Sequence, residues 1–182
     1  ILNHVNTYHQ IVANGTYAQS GIFTNLSLPM VELAGKTIGI IGMGNIGRKV
    51  AEVATAFGMK VIYYSTSGKN NNQPFECMSL EHLIEKADIV TIHAPLNEQT
   101  HHLIQLKQLN SFQQHAILLN VGRGGIIKEA DLVSYLSSSP EPIRIALDVF
   151  EKEPLEISHP LMEFIKIGKL LVTPHLAWGS VE

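Results

Sequence analysis

KTIGIIGMGNIGRKVAEVATAF, residues 36–57, decides the fold. Its opening, Lys36 to Ile41, is short, mostly apolar and rich in β-branched side chains, as a buried strand requires. Gly42, Gly44 and Gly47 follow at G-x-G-x-x-G spacing. Val50, Val53, Ala54 and Phe57 then recur on one side of a helix. A strand, a glycine turn and a helix in that order are the context a dinucleotide-binding turn needs. Gly42 permits the tight turn. Gly44 removes a side chain where a pyrophosphate must approach the backbone, and Gly47 lets helix and strand pack closely. The phosphates would meet the free N–H groups and the positive dipole end of the helix. A tight turn without a ligand uses the same glycines, so the motif needs support from the rest of the chain.

That support is a rhythm. Apolar runs predict strands at 36–41, 60–64, 89–92, 116–120, 143–147 and 170–173. Helical periodicity predicts helices over 45–57, 80–87, 105–113 and 129–138, with one more at 160–168 ended by Gly168. Upstream, Ile1, Leu2, Val5, Tyr8, Ile11 and Val12 fall at helical spacing, and Asn14-Gly15 ends that helix. Residues 15–35 read as an irregular connection. Alternating strands and helices imply a parallel sheet with right-handed crossovers. Six strands in two halves give an α/β, doubly wound parallel sheet of the Rossmann dinucleotide-binding type.

The bulk composition agrees. Of 182 residues, 45% are hydrophobic and 16% charged, which is globular and long enough for a sizeable core. A net charge of -3 with scattered basic residues argues against nucleic acid or an anionic membrane as partner. No apolar run reaches the length of a membrane span. The lone Cys77 excludes an internal disulfide framework, reads as a buried or idle thiol, and suits a reducing cytoplasm. None of the nine histidines, His101-His102 included, has metal-ligand spacing with a cysteine, so no metal is expected. The chain opens on Ile1, which reads as a piece of a longer protein.

Ligands of such folds bind beyond the carboxyl ends of the strands. There the expected strands deliver the glycine turn, Ser65-Thr66, His93-Ala94-Pro95, Asn120 to Gly125, Asp148, and Pro174-His175. Asp and Arg occur only three times each, and Asp148 and Arg123 fall on this rim. Each has a plain alternative. His93 could cap its strand, Asp148 could be a turn residue, and Arg123 could be solvated.

The blocks PMVELAGKTIGIIGMGNIGRKVA, ADIVTIHAPLNEQTHHLI, ILLNVGRGGIIKEADL, IALDVFEKEPL and VTPHLAWGSVE resemble, in order, the cofactor domain of the D-isomer-specific 2-hydroxyacid dehydrogenases. ELAGKT and Trp178 are most similar to the glycerate dehydrogenase (hydroxypyruvate reductase) branch. The resemblance implies an oxidoreductase that moves a hydride between a nicotinamide and a small D-2-hydroxy acid or 2-keto acid. It implies that Arg123 binds the substrate's carboxylate and carbonyl, with His175 and Glu153 as the acid–base pair; Glu151 is near but off the matching position. It further implies cofactor contacts from Gly42, Gly44, Asn45, Ile46, Gly47, Ser65, Thr66, His93, Ala94, Pro95, Thr100, Val121, Gly122, Asp148 and Ala177. The chemistry suits these roles. A protonated imidazole supplies a proton near neutral pH, a carboxylate favours and orients it, and a guanidinium grips a carboxylate with two hydrogen bonds.

Ser65 stands where NAD-preferring relatives carry Asp. Residues 58–74 contain no acid, while Thr66, Ser67 and Lys69 add donors and a positive charge. NAD and NADP are therefore both expected, with NADP at least tolerated. By resemblance, residues 1–182 are one NAD(P)-binding domain lacking most of the substrate domain, poorly active alone, and a homodimer. A different class also fits: a cofactor-sensing interaction protein, like the corepressors that share the family's fold.

Overall fold

The computed structural model describes residues 4–28 and 30–179. It divides into two compact units, Ile1–Leu33 and Ala34–Glu182. In the first, α1 (Val5–Ala13) is followed by a single turn, α2 (Thr16–Gln19), inside the stretch expected to be irregular. The Tyr8 hydroxyl reaches the Leu28 backbone at 3.2 Å and the Tyr17 hydroxyl donates to the Phe23 carbonyl at 2.7 Å. The expected helical positions Ile1 and Leu2 lie outside the described residues.

The second unit holds β1 (Thr37–Ile41), β2 (Lys60–Tyr64), β3 (Glu76–Cys77), β4 (Ile89–Ile92), β5 (Ile117–Asn120), β6 (Arg144–Leu147) and β7 (Leu170–Val172). They form one sheet in the order β3-β2-β1-β4-β5-β6-β7, parallel throughout. The helices are α3 (Asn45–Ala56), α4 (Leu80–Lys86), α5 (Leu106–Leu109), α6 (Glu129–Ser138) and α7 (Leu161–Lys166). Strand order reverses between β1 and β4, which opens a crevice at their carboxyl ends.

The sheet is covered on both sides. Ile40 touches the place a Cβ would take on Gly47 of α3, while a Cβ on Gly39 would meet Leu83 of α4 and Ala87. Successive strand residues point to opposite faces, so α3 and α4 lie on opposite faces. Two-sided burial is why the strands are apolar without alternation. Ile40, Ile41, Ile62, Val90, Ile92 and Leu118 have no exposed surface, and burying each such side chain contributes about 1.5–3 kcal/mol.

All six expected strands are present. β3 was not expected: it has two exposed residues and no apolar run, and exists only by pairing with Ile62 and Tyr63 of β2. Cys77 sits on it and is exposed, not buried. The expected helix 105–113 shrinks to α5, because the chain turns after Asn110 with Ser111 N–H bonded to the Gln108 carbonyl. The face of α3 also differs. Of the expected positions Ala54 is buried and Val50 half-buried, but Val53 and Phe57 are exposed, and Gly47 and Ala51 complete the inward face. The helix lies too close to the strand for larger residues. No described helix is long and apolar enough to cross a membrane.

Gly47 shows how close the approach is, since an added Cβ would lie 2.1 Å from the Gly42 carbonyl oxygen. Gly47→Ala should cost about 1–3 kcal/mol, read as a lower urea midpoint with unchanged slope. An unshifted midpoint would show that the start of α3 can move freely.

Candidate active site

Because every strand is parallel, every carboxyl end meets one rim, and backbone contacts run along it without a gap. Gly42, at φ 94°, leaves no room for a side chain: a Cβ would lie 2.8 Å from the Ala94 amide nitrogen. A Cβ on Gly122 would lie 3.1 Å from the Ala94 carbonyl oxygen. One on Gly124 would fall 1.9 Å from the Phe150 carbonyl carbon and oxygen. The His175 amide donates to the Asp148 carbonyl at 2.8 Å. The glycine turn, His93-Ala94, the Gly122–Gly125 loop, Asp148 and His175 are thus linked side by side.

The glycine turn fits a dinucleotide phosphate. Gly44 is the N-cap of α3, no side chain caps the helix, and its first turn has no acid. Nothing lies within 4 Å of the Cβ that Gly44 lacks. Free amides, a dipole end and open space coincide there. Asn45 and Ile46 begin the helix, and Ile46 is 65% exposed. Beyond β2, Ser65 and Thr66 open a loop tied by its own side chains. Ser65 Oγ accepts the Asn70 N–H at 3.4 Å and Ser67 Oγ accepts the Lys69 N–H at 3.3 Å.

His93 extends the β1–β4 pairing through its amide, bonded to the Ile41 carbonyl at 2.8 Å. Its Nε2 lies 3.0 Å from the Thr91 hydroxyl. Burial lowers its pKa to about 4, so the ring is neutral near pH 7. Thr100 is fully buried and donates to the Pro95 carbonyl at 2.6 Å. It shapes the loop after Pro95, so any influence on a ligand there passes through that loop.

Arg123 is presented by a bracket. Asn120, 1% exposed, donates to the Arg123 carbonyl at 2.9 Å and accepts the Gly122 N–H at 3.1 Å. Asn followed two residues later by Gly is the side-chain-closed turn that could have flagged this role from sequence. The guanidinium is exposed and donates from Nη1 to the Gly122 carbonyl at 2.7 Å. Among the described residues no carboxylate pairs with it. Val121, beside it, is exposed.

His175 Nδ1 lies 2.6 Å from Glu153 Oε2, and the other Glu153 oxygen accepts the Phe150 N–H at 2.8 Å. With Nδ1 bound to the carboxylate, Nε2 is left to exchange a proton. Burial alone would raise the Glu153 pKa; the Phe150 N–H and the His175 ring outweigh it and hold the carboxyl below its ordinary value. Both residues line a cleft of about 680 Å³ whose other walls include Phe150, Met162 and Val172.

Asp148, 3% exposed, braces the segment after β7. It accepts from the Thr173 hydroxyl, from Leu176 N–H at 2.9 Å and from Ala177 N–H at 2.8 Å. Burial would raise its pKa too, but these bonds lower it. It anchors the stretch that carries His175, which no sequence pattern shows. Among the described residues no three His, Cys, Asp or Glu side chains are placed to hold a metal ion.

Residues 1–177 match the family described as D-isomer specific 2-hydroxyacid dehydrogenase, NAD binding domain. The chain belongs to that family. Among relatives of this dehydrogenase family, the glyoxylate reductase of Aeropyrum pernix is 45% identical over 155 residues, 84% of this chain and 45% of the relative. The hydroxypyruvate reductase of Blautia hydrogenotrophica is 32% identical over 185 residues, 100% of this chain and 56% of the relative. An acyclic imino acid reductase solved in complex with NADPH and D-Arg superposes with TM-score 0.78 at 32% identity, covering 95% of this chain and 54% of that one. The chain spans about half the length of the curated relatives it matches.

Asp148 and Glu153 both titrate below their ordinary values of 3.8 and 4.5 in the folded state. Their stabilisation is full above those values and is lost as pH falls through the lower folded-state ones. Asp148→Asn leaves an N–H facing an amide N–H and should cost about 1–3 kcal/mol at neutral pH. It should also flatten the acid limb of the melting temperature against pH; an unchanged acid limb would place the acid sensitivity elsewhere.

Proposed function

We propose that the chain is the cofactor-binding part of an NAD(P)-dependent oxidoreductase. It would interconvert a small D-2-hydroxy acid and its 2-keto acid, of the glyoxylate, hydroxypyruvate and glycerate class. The observation that carries this reading is the 2.6 Å contact of His175 Nδ1 with Glu153, on the rim shared by Arg123 and the glycine turn. A nicotinamide, when bound, supplies the hydride.

Arg123 grips the substrate carboxylate through its planar fork and directs a further N–H at the keto oxygen. His175 gives its Nε2 proton to that oxygen as negative charge develops, and takes it back in the oxidising direction. Glu153 holds Nδ1, fixes the ring orientation and favours its charged form. Reduction needs the protonated ring and oxidation the neutral one, so the two directions have opposite pH dependence. Asp148 keeps the His175 backbone in place.

Either cofactor can be held, and NADP is at least tolerated. Ser65 repels no 2′-phosphate, and Thr66, Ser67 and Lys69 add donors and a positive charge within the same loop. The NADPH held by the imino acid reductase supports the reading. We take residues 1–182 as the NAD(P)-binding domain of a cytoplasmic enzyme whose full turnover needs the relatives' remaining length. Ile46, Val53 and Phe57 leave an apolar stripe open on α3, and we propose that it serves a homodimer.

In the full-length enzyme, His175→Gln should lower kcat for hydroxypyruvate or glyoxylate reduction by about 10²–10⁴-fold, with the Kd for the reduced cofactor unchanged. A protein that binds NADH or NADPH but oxidises neither with any small 2-keto acid would be a cofactor sensor instead. Ser65→Asp should lower the NADPH/NADH ratio of kcat/KM by about tenfold or more; an unchanged ratio would move cofactor choice away from this loop.

A further inference from the structure

Behind the Glu153–His175 pair stands a second His–Glu pair. Glu129 opens α6 and is 6% exposed. Its Oε1 accepts the Glu151 N–H at 2.7 Å, while Oε1 of Glu151 accepts the Glu129 N–H at 2.9 Å. The two residues exchange hydrogen bonds, which ties the loop after β6 to the start of α6. Glu129 Oε2 lies 3.2 Å from His159 Nε2. His159 Nδ1 accepts the Leu161 N–H at 3.3 Å, so the ring proton is on Nε2 and is donated to Glu129. On the outer side, His102 Nε2 lies 3.3 Å from Glu151 Oε1.

This clamp leads directly to the dyad. Glu151 follows Phe150, whose N–H holds Glu153, and Glu153 holds His175. From the other side, Gly124 presses on the Phe150 carbonyl and the Glu151 amide. The turn that aims Glu153 is thus gripped between Arg123's own loop and Glu129.

Burial works against a charged group at 129. Burial, and then the nearby charges of Glu151 and Glu153, push its pKa above the ordinary value, against the Glu151 N–H and His159. An ionised acid with a raised folded-state pKa costs stability as pH rises through that value. A glutamine could accept the Glu151 N–H without charge, but would turn an N–H towards that of His159. What the carboxylate adds is a double acceptor that fixes two elements in one arrangement. The other charged groups at the start of α6, Lys128 and Asp131, pair with each other at 3.0 Å.

We propose that Glu129, backed by His159, is a positioning residue for the acid–base pair: it sets the Phe150–Glu153 turn so that Glu153 meets His175 Nδ1. This rests on the roles proposed above for Glu153 and His175, and its test separates the two. NMR titration of the His175 ring is followed in the wild type, Glu129→Gln, His159→Phe and Glu153→Gln. Glu153→Gln should lower the midpoint most. Glu129→Gln and His159→Phe should lower it by about half a unit, roughly threefold in the ionisation constant. If Glu129→Gln does not fold, His159→Phe, changed at a half-buried site, carries the test.

A midpoint moved by Glu153→Gln alone overturns the clamp and leaves the dyad standing. A midpoint that no variant moves removes the dyad reading and the inference together. In the full-length enzyme, the alkaline limb of keto-acid reduction should shift to lower pH by the same amount. A uniform loss of rate with no shift of the limb would mark general packing and overturn the proposal.

Discussion

The site depends on one close approach, that of Gly124 to the carbonyl of Phe150. No side chain fits between them. The contact brings the loop after β5, with Arg123, against the loop after β6, with Glu153. The consecutive strands β5 and β6 are neighbours in the sheet, and the loops that follow them become one surface only where the missing Cβ allows it. Bonds across that surface then orient the groups: the Phe150 amide on Glu153, Glu153 on His175, and Asp148 on the backbone beyond.

The acids around this surface are driven in opposite directions by their surroundings. Asp148 is almost fully buried, yet three donors converge on it and keep it charged. Glu153 has one amide and one imidazole and is shifted the same way. Glu129 has comparable donors but two carboxylates nearby, and burial prevails. Depth alone does not set the charge of these groups; the balance of donors against like charges does. The same balance keeps His93 neutral, because burial there meets no acid.

Much of this was legible in the residues. The glycine turn announced the first strand–turn–helix unit, and six apolar runs announced six strands, because strands buried on both faces must be apolar throughout. Placing Arg123, Asp148 and His175 on one rim needed only the direction of a parallel sheet. The rest was hidden for physical reasons. Gly47 and Ala54 were readable as inward positions of α3, but Ala51 was not, and the more hydrophobic Val53 and Phe57 point outward. Asp148 acts through backbone groups brought near only by folding, and Glu129 meets Glu151 across 22 positions of chain.

The small strand β3 closes the sheet on its outer side. It has two residues, and its Glu76 sits within 4 Å of both Lys60 and Lys86. A brief rim of this kind, studded with charges of both signs, offers little free backbone to a foreign strand. The apolar strand β2, which would otherwise form that edge, is thereby shielded from pairing with a foreign strand.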